Sequence, residues 1–202
     1  MLQLKNFTLS RGNRTICKNL NVEIESASII IIEGKNGSGK SSLIGCLIGK
    51  RKPTEGAVLL DDRHVHRLGR REKKLFFEST GLVFQESSLK AFDTIAKTLS
   101  QNKVSKEATA SMLAFLGFEH RSKEMVRNLS YSEQRKLDLG RSLIHQPRLL
   151  IWDEPFMGLD YDTRKNFHKA LSDLKTSGST IIICTVNADQ FRFLNPEKII
   201  QL

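Results

Sequence analysis

Two kinds of hydrophobic pattern run along this chain, and they predict two kinds of sheet. Leu2, Leu4, Phe7 and Leu9 alternate with polar residues before a turn at Arg11-Gly12-Asn13. The alternation resumes through Leu20, Val22 and Ile24. Period-two patterning of this sort predicts antiparallel strands with one wet face. Unbroken apolar runs follow at Ile29–Ile32, Ala57–Leu60, Gly81–Phe84, Leu149–Trp152 and Ile181–Cys184. Of these, Ile29–Ile32, Leu149–Trp152 and Ile181–Cys184 predict strands buried on both faces, as in a parallel sheet, while Ala57–Leu60 and Gly81–Phe84 read simply as short strands. Lys198–Leu202 reads as a last short strand.

Between the runs lie helical patterns. Ser42–Ile48 is an apolar helix, and 162–176 is a longer one ended by Gly178. Asp93–Leu99 and Ser111–Leu116 are amphipathic pieces in a polar stretch. Ser130 with Glu133 three residues later forms a capping box ahead of a stripe of Leu137, Gly140, Leu143 and Ile144. The expected class is α/β: a mostly parallel core sheet, an N-terminal antiparallel β part and an inserted helical subdomain at about 87–145. One domain spanning 1–202 accommodates all of it. His64 and His66 flank Val65 and are expected on one strand face, turned to solvent. Asp61-Asp62 reads as a turn.

One stretch adds chemistry to this frame. Gly34-Lys35-Asn36-Gly37-Ser38-Gly39-Lys40-Ser41 matches G-x-x-x-x-G-K-[S/T], and it sits between a buried strand and a helix as that motif requires. Glycines let successive N–H groups converge on an anion, and the helix N-terminus adds positive potential. Gly34, Asn36, Gly37, Ser38, Gly39, Lys40, Ser41 and Ser42 are therefore candidates for binding nucleotide phosphates. Lys40 would reach the β- and γ-phosphates and Ser41 would ligate Mg²⁺.

A phosphate loop needs a second acidic site to finish the metal shell. Asp153, at the end of an apolar strand, is that candidate, and its neighbour Glu154 can polarise an attacking water. The net charge of +10 over 202 residues favours anionic partners. Its densest cluster, Arg63 to Lys74, lacks the interleaved aromatics that stack bases, so it reads as a solvated helix face and no specific nucleic-acid partner is expected. No apolar run is long enough for a membrane span, and Met1–Lys5 does not open a secretory signal. Cys17, Cys46 and Cys184 are scattered and read as reduced core thiols.

The motif order is phosphate loop, Gln85 at a strand end, Leu129-Ser130-Tyr131-Ser132-Glu133, Leu150 to Pro155, then Gly158-Leu159-Asp160. This order resembles the ATP-binding-cassette ATPases over essentially the whole chain. The resemblance implies ATP with Mg²⁺ as ligand, ATP hydrolysis, and a homodimer that sandwiches two nucleotides. It implies that Gln85 contacts Mg²⁺ and the attacking water. Ser130, Ser132 and Glu133 would touch the γ-phosphate held by the opposite subunit, and Asp160 would lie at the dimer seam. Arg67-Leu68-Gly69-Arg70-Arg71-Glu72, running on to Gly81–Gln85, is similar to the FtsE cell-division subgroup and its lipoprotein-release and export neighbours. That implies an integral membrane partner (FtsX-like, or a permease) and a peripheral place on the cytoplasmic face of the inner membrane.

The chain departs from the family pattern at several positions. Tyr131 and Ser132 replace two signature glycines, and Glu133 replaces glutamine. Val186 stands at the position of the switch histidine, and Ser10 or Arg11 stands where an aromatic stacks on adenine. Arg11 can offer its guanidinium plane instead. Loss of one charge-stabilising donor can cost about a hundredfold in rate. Slow hydrolysis with intact ATP binding is the expectation, and a slow-turnover binding switch is the alternative to a transport or division ATPase.

Overall fold

The structure is a computed structural model that describes residues 1–101 and 104–202. In chain order it runs β1 (Leu2–Arg11), β2 (Arg14–Ile24), β3 (Ile29–Glu33), α1 (Lys40–Leu47), β4 (Glu55–Leu60), β5 (Arg63–His64), α2 (Arg70–Glu78) and β6 (Thr80–Val83). The helical insert follows as α3 (Ile95–Leu99), α4 (Lys106–Leu116) and α5 (Tyr131–Leu143). The chain then returns through β7 (Leu149–Asp153), α6 (Tyr161–Thr176), β8 (Thr180–Thr185) and β9 (Lys198–Gln201).

The strands form two sheets. One is antiparallel in the order β2-β1-β4-β5, and the other is parallel in the order β6-β7-β8-β3-β9. β3, β7 and β8 are apolar on both sides because both sides are covered. Ile29, Ile31, Leu150, Trp152, Ile181 and Ile183 face the core that includes the helical insert. Ile30, Ile32, Leu149, Ile151, Ile182 and Cys184 face the core shared with the antiparallel sheet and α1. A strand exposes alternate residues to opposite faces, so each isoleucine run serves two cores at once. Burying each such side chain contributes about 1.5–3 kcal/mol.

The insert joins the first of these cores through Ile95, Leu99, Leu116, Phe118 and Leu137. Trp152, fully buried, donates its indole N–H to Ser142 Oγ at 2.9 Å and so ties α5 to β7.

Some local expectations change. The antiparallel sheet is not only N-terminal, because β4 and β5 complete it after the phosphate loop. His64 and His66 do not share a strand face. β5 ends at His64, and Val65–Arg67 is a 3-10 turn that buries Val65 and sets the two imidazoles edge to face at 5.4 Å. A further 3-10 segment, Ala188–Leu194, had no periodic signal and is held by buried Phe191 and Leu194. The basic cluster does lie largely on a helix, with Arg70, Arg71 and Lys74 of α2 exposed. All three cysteines are free. Among the described residues no helix is long and apolar enough to cross a membrane.

Candidate functional site

The parallel sheet delivers its chemistry at the C-terminal ends of β3 and β7, where open α/β sheets take ligands. The loop after β3 is built for close approach. A Cβ on Gly34 would stand 2.4 Å from Ser38 Oγ, and a Cβ on Gly39 would stand 2.4 Å from Ile16 Cγ2. Gly39 also has φ +114°, a region that side chains avoid. It occupies the N-cap of α1, and no side chain caps that helix and no acid sits in its first turn. By contrast Thr94, Ser105, Ser130 and Asp160 cap α3, α4, α5 and α6.

Uncapped amides at a helix start are unsatisfied donors with the positive end of the dipole behind them. The Ser38 hydroxyl is buried there without a partner. Lys40 bends into the hollow. Its Nζ donates to Gly34 O at 2.6 Å and Lys35 O at 3.3 Å, and it lies 3.1 Å from Glu154 Oε1. That last contact is an ion pair whose carboxylate oxygen lacks an aligned hydrogen bond.

The acids come from the end of β7. Asp153 is 2% exposed and accepts a hydrogen bond from Ser41 Oγ at 2.7 Å. Burial pushes its carboxyl above the usual range, the Ser41 bond opposes that, and the neighbouring Glu154 charge adds to it. Glu154 turns away at φ +46°, which directs its carboxylate to Lys40 rather than along the strand. A cleft of about 510 Å³ brings Asn36, Gly37, Gly39 and Lys40 together with Ser41, Ser42, Gln85 and Asp153. Ser42 Oγ is held by Arg51 Nη1 at 2.9 Å. Arg11, Arg14 and Ile16 close the far wall of the cleft, with Arg14 Nη1 donating to Gly37 O at 3.3 Å.

The other predicted site residues lie apart from this cleft within one chain. Ser130 caps α5, and its Oγ accepts from Glu133 N–H at 3.3 Å. Glu133 answers by accepting from Ser130 N–H at 2.8 Å and from Ser130 Oγ at 2.9 Å. Arg121 pairs with the same carboxylate and, at 2.7 Å, with Glu124. The Arg121 bond is the main reason that Glu133 is held down at about 2. Ser132 Oγ is 3.3 Å from Ser130 Oγ. Asp160 caps α6, with its carboxylate accepting from Thr163 N–H at 2.8 Å and Thr163 Oγ1 at 2.7 Å. The ring of Tyr131 lies against Gly158, and Val186 is 47% exposed.

A family model described as ABC transporter matches residues 17–157, which covers the phosphate loop, the α5 start and the β7 acids. The chain belongs to the ABC transporter ATPase family. Members of this family are ATPases that generally hydrolyse ATP with Mg²⁺. The chain is 31% identical over 194 residues to the methionine import ATP-binding protein MetN of Clostridioides difficile (strain 630), covering 92% of this chain and 60% of that protein. It is 29% identical over 204 residues to the high-affinity branched-chain amino acid transport ATP-binding protein LivG of Escherichia coli (strain K12), covering 91% and 80%. It is 27% identical over 178 residues to the cell division ATP-binding protein FtsE of Bacillus subtilis (strain 168), covering 84% and 78%. Among solved structures, a dimeric ATP-binding cassette in a post-hydrolysis state bound to ADP and Pi superposes with a TM-score of 0.86 at 26% identity. That match covers 100% of this chain and 94% of the other.

The residues present fit the ABC ligand. An uncapped helix start, a buried unpartnered hydroxyl and a cation folded into the loop suit a polyphosphate. The oxygens of Ser41 and Asp153, already 2.7 Å apart, suit a hard cation such as Mg²⁺. Sequence reasoning missed Arg14 and Ile16, although they alternate along β2 toward the loop. It also missed Arg121, whose pairing with Glu133 spans 12 residues across a turn, and Arg135, whose backbone partners are distant in sequence and leave no periodic trace.

Proposed function

We propose that this chain is the ATP-binding and ATP-hydrolysing subunit of a two-component membrane complex, dimerising on ATP and acting on a separate FtsX-like membrane protein. The observation that carries the ATPase reading is the convergence of Ser41, Asp153, Lys40 and Glu154 at one end of the parallel sheet. In this reading Lys40 leaves Gly34 O to grip the β- and γ-phosphates, while the loop amides and the Ser38 hydroxyl meet the remaining oxygens. Ser41 and Asp153 hold Mg²⁺, with Gln85 beside them, and the metal offsets the charge on the phosphates. Glu154, released from Lys40, orients a water and takes its proton. Ser130, Ser132 and Asp160 serve the second nucleotide across the dimer seam.

The FtsE-like part is supported by the Arg67–Glu72 pattern before Gln85 and by the FtsE similarity, with the MetN and LivG similarities supporting a permease partner instead. Purification from membranes separates them: a four-span partner with a large extracytoplasmic loop is expected, and a six-span permease would replace the FtsX-like assignment.

A second reading, a binding switch with little turnover, is favoured by Glu133 filling its own helix start and by Val186. Phosphate release decides between them. Wild type is expected to exceed Glu154→Gln by about a hundredfold, the scale of a lost general base. A wild type as inert as the variant would leave only the switch.

A further inference from the structure

Helix α5 carries three charged residues on one face, at 135, 138 and 141, and two of them are almost wholly buried. Arg135 is 2% exposed and Asp138 is 0% exposed. A core position of this kind is ordinarily apolar, because burying a charge costs heavily unless its donors are matched. Arg135 is matched in an unusual way. Among the described residues no carboxylate bonds it directly. Its Nη1 donates to Phe84 O at 2.6 Å, its Nη2 donates to Asp153 O and Glu154 O at 2.6 Å each, and its Nε donates to Pro155 O at 3.1 Å. Four carbonyls from two separate loops therefore converge on one guanidinium. The charges of Asp138, Asp153 and Glu154 offset part of the burial that pulls on it.

What those carbonyls belong to is the point. Phe84 immediately precedes Gln85, and Asp153, Glu154 and Pro155 are the acidic turn itself. One helical turn further along, Asp138 Oδ1 accepts from Arg141 Nη2 at 2.6 Å, and the same Arg141 Nη2 donates to Ser88 Oγ at 2.9 Å. The segment of the β6–α3 loop that carries Gln85 is thus fastened to α5 on both sides, by Arg135 at Phe84 and by Arg141 at Ser88.

We infer that Arg135 is a positioning residue: with Arg141 it fixes Gln85 relative to Asp153 and Glu154, and it makes both loops move with α5. The inference rests on the reading of Gln85 and Asp153 as Mg²⁺ ligands given above. The guanidinium suits the task because its planar fork presents five donors in fixed directions, whereas an ammonium is a single point. The N-terminus of α5, Ser130 to Glu133, lies one turn before Arg135. A displacement of α5 caused by contact at that end is carried to the backbone of both catalytic loops. A misplacement of about 1 Å costs on the order of a hundredfold in rate.

The test measures turnover against Mg²⁺ concentration at saturating ATP, ATP affinity in EDTA, and the folded fraction. It uses the full chain as wild type, Arg135→Met, Arg135→Lys, Ser88→Ala and Asp153→Asn. Arg135→Met is expected to bind metal-free ATP within about threefold of wild type, to turn over about a hundredfold more slowly, and to need about tenfold more Mg²⁺ for half-maximal rate. Arg135→Lys, which keeps the charge but loses the fork, and Ser88→Ala, an exposed position that removes one bond, carry the test where Arg135→Met does not fold. Both are expected to raise the Mg²⁺ requirement, Arg135→Lys by more. A folded Arg135→Lys with the wild-type Mg²⁺ requirement and rate overturns the clamp. So does a loss of folded fraction in the Arg135 variants with an unchanged Mg²⁺ requirement per folded molecule, which is what a purely structural arginine gives. Asp153→Asn separates the two layers. If its Mg²⁺ requirement is unshifted, the site reading itself falls. If it shifts while Arg135→Lys does not, the clamp alone falls.

Discussion

The starts of α1 and α5 are the same piece of geometry put to opposite uses. Each presents free amides and the positive end of a helix dipole. At α1 the cap is a glycine, no acid stands in the first turn, and the one buried hydroxyl nearby is unpartnered. At α5 the cap is a serine, and Glu133 folds back onto its N–H and hydroxyl while Arg121 neutralises the carboxylate. The first end gives up local stability and waits for an external anion. The second has supplied its own. In the dimer proposed above both ends would meet phosphate, one from its own chain and one from across the seam. Nucleotide capture is thus prepared in the monomer, whereas closure of the proposed dimer would have to displace or tolerate an internal carboxylate.

Filling the open end is the strongest way to break this contrast. Gly39→Ala places a Cβ at φ +114° against Ile16, so ATP affinity is expected to fall about a hundredfold with about 2 kcal/mol of lost stability. Isothermal titration and urea unfolding read the two effects, and a variant that binds as wild type would show that the loop does not need its glycine.

Emptying the closed end sharpens the contrast. Glu133→Gln removes a negative charge from the face proposed to approach phosphate, and ATP-dependent dimerisation is expected to tighten about tenfold. Sedimentation in a Glu154→Gln background measures it, and weaker dimerisation would mean that the carboxylate helps rather than hinders.

The same substitution has a smaller effect on folding. Glu133 titrates near 2 in the fold against an ordinary 4.5, so its pairing stabilises the protein above about pH 4.5 and is lost as pH falls toward 2. Glu133→Gln is expected to cost about 1 kcal/mol at pH 7 and almost nothing at pH 2, the scale of a cap and a part-exposed ion pair. An equal loss at both pH values would contradict the assignment.

The smallest effect lies on α6, away from both ends, and serves as the control. Burial holds His168 down at about 4, and its ring packs on Phe193 at 3.9 Å between centroids. Its neutral form supports the fold above pH 6.5, and that support is lost as pH falls toward 4. His168→Phe is expected to flatten this limb of the thermal-midpoint profile without changing ATP binding. An unchanged slope would place the imidazole in solvent.

The contrast between α1 and α5 also measures how far sequence alone reaches. The α1 end was legible because its chemistry is local: eight consecutive residues specify a backbone shape, and the flanking patterns specify strand and helix. The central parallel strands β3, β7 and β8 were legible for the same reason, because runs such as Ile29–Ile32 leave one solution for a chain that must bury both faces. The capping box at Ser130 was legible, but its closure by Arg121 was not, since that pair joins residues 12 apart across a turn. Arg135 was invisible because backbone carbonyls carry no side-chain signature. The strand predicted through His66 ended early because Val65 is buried by a 3-10 turn, a shape that period-two patterning over three residues does not distinguish.

The most direct test of the account compares the two ends in one titration. ATP binding with Mg²⁺ is measured for the monomeric wild type, Lys40→Ala and Glu133→Ala. The account predicts that Lys40→Ala loses about a hundredfold in affinity, the value of a charge-assisted contact to phosphate, while Glu133→Ala stays within about threefold. Equal affinities for wild type and Lys40→Ala would contradict it.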